Sequence, residues 1–112
     1  MKISEEQKNN AVIIRLEGKV MGGPDATMFH GKLHEYVSGG KTKIVIDLGK
    51  VEWMSSVGLG MLISALTTVK NNQGELKLAN VTQSIQSLLT ITRLVTIFKT
   101  YDSVDEAIAS FE

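Results

Sequence analysis

Short apolar runs rich in β-branched residues alternate along this chain with segments whose apolar residues recur at helical spacing. Such runs are typical of buried strands, and the segments between them are long enough to form crossover helices. The runs that predict strands are Ala11–Leu16, Lys43–Leu48 and Glu75–Ala79, and Lys43–Leu48 should be central in the sheet. This alternation predicts an α/β domain whose sheet is mainly parallel.

Signals for helix starts and stops lie between these runs. Pro24 fits the start of a helix that ends before Gly39, and Ser55 and Ser56 can cap a second helix that runs to about Asn71. The other predicted elements are an N-terminal edge strand, a third helix, a last strand and a terminal helix, at Met1–Glu6, Thr82–Thr90, Val95–Phe98 and Ser103–Phe111. The sequence therefore predicts a mixed sheet of four to five strands with about four helices.

Composition narrows the class of protein further. The 112 residues include no cysteine, which excludes thiol catalysis and thiolate metal sites, and a chain of this length can bury roughly 65% of its surface without disulfides. The 12 basic and 12 acidic residues are interspersed, which argues against nucleic-acid binding. The first ten residues are polar, and no apolar run approaches the ~20 residues of a membrane span. We therefore expect a single cytoplasmic domain over residues 1–112, without nucleic-acid or membrane partners.

The most informative segment joins the strand at residues 43–48 to the second predicted helix. It reads Asp47-Leu48-Gly49-Lys50-Val51-Glu52-Trp53-Met54-Ser55-Ser56-Val57-Gly58-Leu59-Gly60. Each glycine inside a helix costs about 1 kcal/mol relative to alanine. Gly58 and Gly60 therefore indicate either a helix packed tightly on the sheet or a partner that approaches the backbone closely. Ser56 is either a helix cap or an exposed hydroxyl at the start of the helix.

This segment resembles the signature of STAS domains, the fold of bacterial anti-sigma factor antagonists, and the resemblance covers nearly the whole chain. In that signature a strand ends in Asp-Leu, and an apolar residue followed by Asp-Ser-Ser-Gly-Leu-Gly then opens a helix. Alignment on Gly58 and Gly60 places the family's phosphoacceptor serine at Ser56. Two positions differ from the signature, because Ser55 replaces the family's Asp and Val57 replaces its second serine.

The resemblance implies a non-enzymatic regulator of transcription. It would bind a serine kinase/anti-sigma factor while unphosphorylated, free a sigma factor, and be released when Ser56 is phosphorylated. The implied partner-binding residues are Asp25, Ser55, Ser56, Val57, Gly58, Leu59 and Gly60. Phosphorylation adds roughly −1.5 to −2 charges at a helix N-terminus, where N–H groups tolerate an anion, so repulsion of a docked partner needs no refolding. We expect no catalytic residue, metal or cofactor, and a monomer or weak homodimer.

Other interpretations of the same residues stay open. The missing Asp before Ser56 is compatible with a STAS scaffold that is not phosphorylated, or with a nucleotide-sensing module in another signalling complex. Asp47 ends a strand, as catalytic and phosphoaccepting aspartates do in open α/β sheets, so an Asp47-dependent enzyme or a receiver-like domain is an alternative to a structural cap. His30 and His34 have the i, i+4 spacing of metal ligands but lack a third ligand, so we expect solvated histidines.

Overall fold

The computed structural model describes residues 1–111 as a five-stranded sheet with four α-helices. The strands are β1 (Lys2–Lys8), β2 (Ala11–Val20), β3 (Lys43–Met54), β4 (Glu75–Ala79) and β5 (Lys99–Tyr101). The helices are α1 (Pro24–Ser38), α2 (Ser56–Asn71), α3 (Gln83–Ile91) and α4 (Val104–Ala109), and a 3₁₀ turn spans Leu94–Thr96. The predicted α/β class and the order of elements are confirmed.

The strands lie in the sheet in the order in which they occur in the chain. β1 is antiparallel to β2 and forms a hairpin with it, whereas β2, β3, β4 and β5 run parallel. Each helical crossover therefore places the next strand directly beside the previous one, always further in the same direction across the sheet. Because crossovers between parallel strands are right-handed, this order places α1, α2 and α3 on one face of the sheet.

The two faces of the sheet are covered unequally. The larger core lies under α1, α2 and α3 and includes Ile14, Ile46 and Leu78 from the three central strands. On the other face only the six-residue α4 packs, over a smaller cluster formed by Ala11, Ile13, Val45, Ala79, Ala107 and Ile108. Beyond α4 this second face carries charged residues, so much of it is exposed to solvent.

A buried lysine helps to hold α4 in place. Lys77 projects from β4 beneath the C-terminal helix, and its Nζ donates a hydrogen bond of 2.6 Å to the hydroxyl of Ser110. The same Nζ lies 4.4 Å from the centroid of the Phe111 ring and 5.5 Å from that of Tyr101. Contact with two aromatic faces offsets part of the cost of removing an ammonium group from water.

β3 is much longer than the predicted strand, which ended at Leu48. Its pairing with β4 stops where Asp47 faces Ala79, whereas its pairing with β2 continues until Met54 faces Val20. Residues 48–54 therefore extend past the end of β4 and have a strand neighbour on one side only. We name these residues the β3 overhang.

The prediction of a strand at Val95–Phe98 is wrong. α3 is followed by Arg93 in the left-handed conformation, with φ of 63°, and a 3₁₀ turn then occupies Leu94–Thr96. Only Phe98 of the apolar run is buried, so the run supplies one core side chain and leaves Val95 and Ile97 exposed. β5 begins just after it and is only three residues long.

Two isoleucines test this assignment of the core. Ile46 in β3 is fully buried, whereas 80% of Ile91 at the end of α3 is exposed. Ile46→Ala is expected to lower the free energy of unfolding by about 2–5 kcal/mol, because it leaves a cavity in the core. Ile91→Ala should change it by less than about 0.5 kcal/mol. Urea unfolding measures both values, and similar losses at the two positions would contradict the assignment.

Candidate functional site

The start of α2 is attached directly to the end of β2. The backbone N–H of Ser55 donates a hydrogen bond of 3.0 Å to the carbonyl oxygen of Val20. The hydroxyl oxygen of Ser55 accepts a hydrogen bond of 3.0 Å from the backbone N–H of Gly58, as an N-cap residue does. Loss of such a cap costs about 0.5–2 kcal/mol. Ser55 is therefore the residue that caps α2 and fixes its origin.

Ser56 is the first residue of α2 and is exposed. Its position differs from that of half-buried Ser55, whose hydroxyl already bonds the helix backbone. The first turn of α2 contains no acidic residue, and its backbone N–H groups and the helix dipole favour an anion. Of the two adjacent serines, Ser56 is thus the one whose hydroxyl is accessible to an enzyme.

The two glycines of α2 have different surroundings. A Cβ atom on Gly58 would overlap the carbonyl oxygen of Val20, so only glycine lets the helix lie this close to β2. A Cβ atom on Gly60 would have no heavy atom within 4 Å outside its own helix, and Gly60 is exposed. Internal packing explains Gly58 but gives no reason for Gly60, whose surface is open to a partner.

Three exposed apolar side chains lie close in sequence to the start of α2. Met21, Trp53 and Val57 expose 54%, 47% and 60% of their surface, and we name them the apolar rim. Gly22, which has a φ of 87°, lies so close to Val57 that a Cβ atom on it would overlap the valine side chain. The turn after β2 therefore packs against α2. Exposed methionine and tryptophan are enriched at protein interfaces. Met21 and Trp53 were not predicted from the sequence as binding residues, although both lie close in the chain to glycines or serines of this site.

Two other predicted partner-binding residues point elsewhere. Leu59 is buried in the core, so its side chain does not face a partner. The carboxylate of Asp25, in the first turn of α1, lies 3.5 Å from the amino nitrogen of Met1. Met1 precedes β1, which flanks β2 on the side away from β3. The structure thus places the Asp25 carboxylate beside the start of β1.

Asp47 forms contacts that hold the sheet together at the base of the β3 overhang. One of its oxygens accepts hydrogen bonds from the backbone N–H of Gly49 at 3.0 Å and from the amide of Asn80 at 3.1 Å. The other oxygen lies 3.3 Å from Nε of Arg15. A hydrogen bond from Arg15 to Glu6 raises the pKa of the guanidinium, and Asp47 raises it further. These contacts support the interpretation of Asp47 as a structural cap.

The two histidines of α1 are set apart from this site. His30 is half-buried and its ring lies edge-on to that of Phe29, with 5.5 Å between centroids, while His34 is exposed. Within residues 1–111 no group of three or more His, Cys, Asp or Glu side chains is arranged to hold a metal ion. In the same residues, no helix is both long and apolar enough to cross a membrane.

Comparison with known proteins gives consistent matches over nearly the whole chain. A family model described as "STAS domain" matches residues 2–107. BtrV of Bordetella bronchiseptica, whose name describes it as a candidate anti-sigma factor antagonist, is 27% identical over 112 residues, which are 100% of this chain and 96% of that protein.

Solved structures share the same fold. The crystal structure of a candidate anti-sigma factor antagonist from Thermotoga maritima matches with a TM-score of 0.87 and 24% identity, covering 96% of this chain and 92% of that chain. The Bacillus cell fate determinant SpoIIAA in its phosphorylated form matches with a TM-score of 0.77 and 18% identity, covering 99% of this chain and 100% of that chain.

Alanine substitutions distinguish the two glycines of α2. Gly58→Ala should lower the free energy of unfolding by about 1–3 kcal/mol, because its methyl group overlaps the end of β2. Gly60→Ala should raise it by up to about 1 kcal/mol, because alanine is the better helix former and meets no neighbour. Urea unfolding of the two variants measures both effects. Destabilisation by Gly60→Ala would show that this glycine, too, has a packing role.

Proposed function

The chain belongs to the STAS domain family, and on this basis we propose that it is an anti-sigma factor antagonist controlled by phosphorylation of Ser56. The observation that carries the proposal is the exposed hydroxyl of Ser56 in the first turn of α2, next to the capping hydroxyl of Ser55. The names of the curated relatives support the regulatory role. A protein of the same fold has been determined in a phosphorylated form, which is compatible with a phosphate on this fold.

In the unphosphorylated state the surface around Ser56 suits a protein partner. The apolar rim supplies contact area that releases water on binding, and Gly60 allows the partner to approach the helix backbone. The partner is a serine kinase that also acts as an anti-sigma factor, so binding by this chain frees the sigma factor. In this role the chain binds and releases a partner without catalysing a reaction.

Phosphorylation ends the binding through charge and hydration. A phosphate on Ser56 brings roughly −1.5 to −2 charges and three acceptor oxygens, which the N–H groups of α2 tolerate in the free protein. In a complex the same dianion lies next to the exposed Val57 side chain, where the contact with the partner would remove water from it. The phosphorylated chain therefore dissociates while its fold stays the same.

A nucleotide-sensing role has weaker support. A cavity of about 580 Å³ lies beside the middle of β3 and the carboxyl ends of β4 and β5, and its lining includes Asp47, Lys50 and Asp102. In open α/β sheets nucleotides bind where the strand order reverses, and the order of this sheet never reverses. The three contacts of the Asp47 carboxylate also argue against catalysis at that residue.

The phosphorylation switch is tested by affinity capture from the native cells with wild-type, Ser56→Ala and Ser56→Glu chains. We expect a serine kinase to be retained by the first two and lost with Ser56→Glu, because a carboxylate introduces negative charge at the start of α2. Mass spectrometry should find phosphate on Ser56. With the purified kinase, Ser56→Glu should weaken binding at least tenfold. Ser64→Glu, at another exposed serine of α2, is the matched control.

Two outcomes would contradict the proposed phosphorylation switch. If all three chains retain the same proteins and no phosphate is found on Ser56, the protein is a STAS scaffold without this switch. If Ser64→Glu weakens kinase binding as much as Ser56→Glu, the effect comes from net charge and not from the start of α2.

The role of Gly60 in binding has its own test. Gly31 in α1 is also an exposed helical glycine whose Cβ atom would meet nothing within 4 Å. Gly60→Ala and Gly31→Ala should both stabilise the fold slightly, by up to about 1 kcal/mol. Only Gly60→Ala should weaken binding to the purified kinase, by about tenfold, since its methyl group enters the contact. Equal kinase affinities for the two variants, measured by calorimetry, would show that no close approach occurs at Gly60.

A further inference from the structure

The β3 overhang leaves a row of backbone groups without a strand partner. Residues 48–54 pair with β2 on one side, but β4 ends opposite Asp47 on the other. In a strand, successive N–H and C=O groups point alternately to the two sides, so part of the overhang's hydrogen-bonding capacity faces an unpaired edge. This edge leads directly into Ser55 and the start of α2.

The turn after β4 covers the beginning of this edge. The turn after β4 runs beside the overhang, where a Cβ atom on Gly49 would lie 3.0 Å from the Cβ of Asn80. Next to Gly49 and Lys50 the turn borders the open cavity of about 580 Å³. The stretch left without a strand neighbour is thus residues 50–54, which is the length of a short strand.

We propose that residues 50–54 of the β3 overhang dock an extended segment of the kinase/anti-sigma partner, which adds to the sheet as a strand beside β3. This inference rests on the proposed function and deepens it, since it says how the partner is held next to Ser56. The backbone donors and acceptors on the unpaired side of residues 50–54 are satisfied by another extended backbone, as in other complexes that add a strand to a sheet edge. The incoming strand has to follow the irregularity between Val51 and Trp53, where the pairing with β2 shifts register.

The side chains of the overhang define the chemistry of the incoming segment. Lys50 already has a partner, because its Nζ lies 3.4 Å from the carboxylate of Glu17. Glu52 is exposed, so a lysine or arginine opposite it would be favoured. Trp53 presents an apolar surface at the next position and favours an apolar residue on the segment. The expected occupant is an extended segment with alternating basic and apolar residues.

A second copy of this chain fits the edge less well. Antiparallel pairing of two overhangs about Val51 would place Trp53 of each copy opposite Gly49 of the other. The turn at Asn80 already lies beside Gly49, so the two backbones could not come together over the whole edge. A single extended segment that starts at Lys50 avoids this turn.

The test is hydrogen exchange on the wild-type chain, alone and bound to the purified kinase identified by its response to Ser56→Glu. We expect slowed exchange of backbone amides in residues 50–54 of the complex. The outer edges of β1 and β5 also lack strand neighbours and serve as internal controls that should stay unchanged. Protection in all three edges, or none in residues 50–54, would overturn the proposal.

A pair of charge reversals gives a second readout. Glu52→Lys should weaken kinase binding about tenfold, whereas Glu75→Lys, at an exposed residue that begins β4 at the far end of the sheet, should leave it unchanged. Equal effects of the two substitutions on kinase binding overturn the proposal. Protection of residues 50–54 from hydrogen exchange that rises with protein concentration in the absence of kinase also overturns it, because it identifies a second copy of this chain as the occupant. If the Ser56 switch operates but these results fail, only the strand docking is wrong. If no kinase is retained at all, the proposed function and this inference fall together.

Discussion

The close contact between the first turn of α2 and the last residue of β2 determines where every residue of the site lies. Val20 accepts the N–H of Ser55, and its carbonyl group leaves no space for a side chain at Gly58. This contact exists because β2 and β3 stay paired for several residues after β4 has ended. The position of Ser56 is therefore set by backbone groups of two strands, and side chains at the surface around it are free to serve binding.

The helices differ in whether their first turn carries a carboxylate. α4 has Asp105 and Glu106 in its first turn and α1 has Asp25, so both of these helices already have a carboxylate near their positive ends. The first turn of α2 has none. A phosphate added there would be the first anion in that turn and would not compete with a neighbouring carboxylate. The same absence leaves the first turn of α2 without negative charge next to the apolar rim, so another protein can bury it at little cost in hydration.

Local patterns were sufficient to predict the class of the fold, the order of its elements and the capping of α2. Helical spacing, capping residues and turn residues depend mainly on neighbours in the chain. The different surroundings of Gly58 and Gly60 were not predictable, because Gly58 is constrained by Val20, almost forty positions earlier. The length of β3 was missed for a similar reason, since residues 49–53 are held by β2 and include polar side chains. The last strand was misplaced because the hydrophobic run at residues 95–98 places one phenylalanine in the core and does not pair with a neighbouring strand.

The match between strand order and chain order has a consequence for how the molecule forms. Each strand pairs with the one before it, so no segment must wait for a distant part of the sequence to find its place in the sheet. Neighbouring strands that are close in sequence lose less entropy when they come together, and such topologies fold faster than those with remote pairings. During synthesis the β1–β2 hairpin can form first and α1 can then cover it, with β3 joining once it emerges. The segments that form the overhang and α2 are synthesised before those of β5 and α4, so the residues around Ser56 do not wait for the last strand and helix.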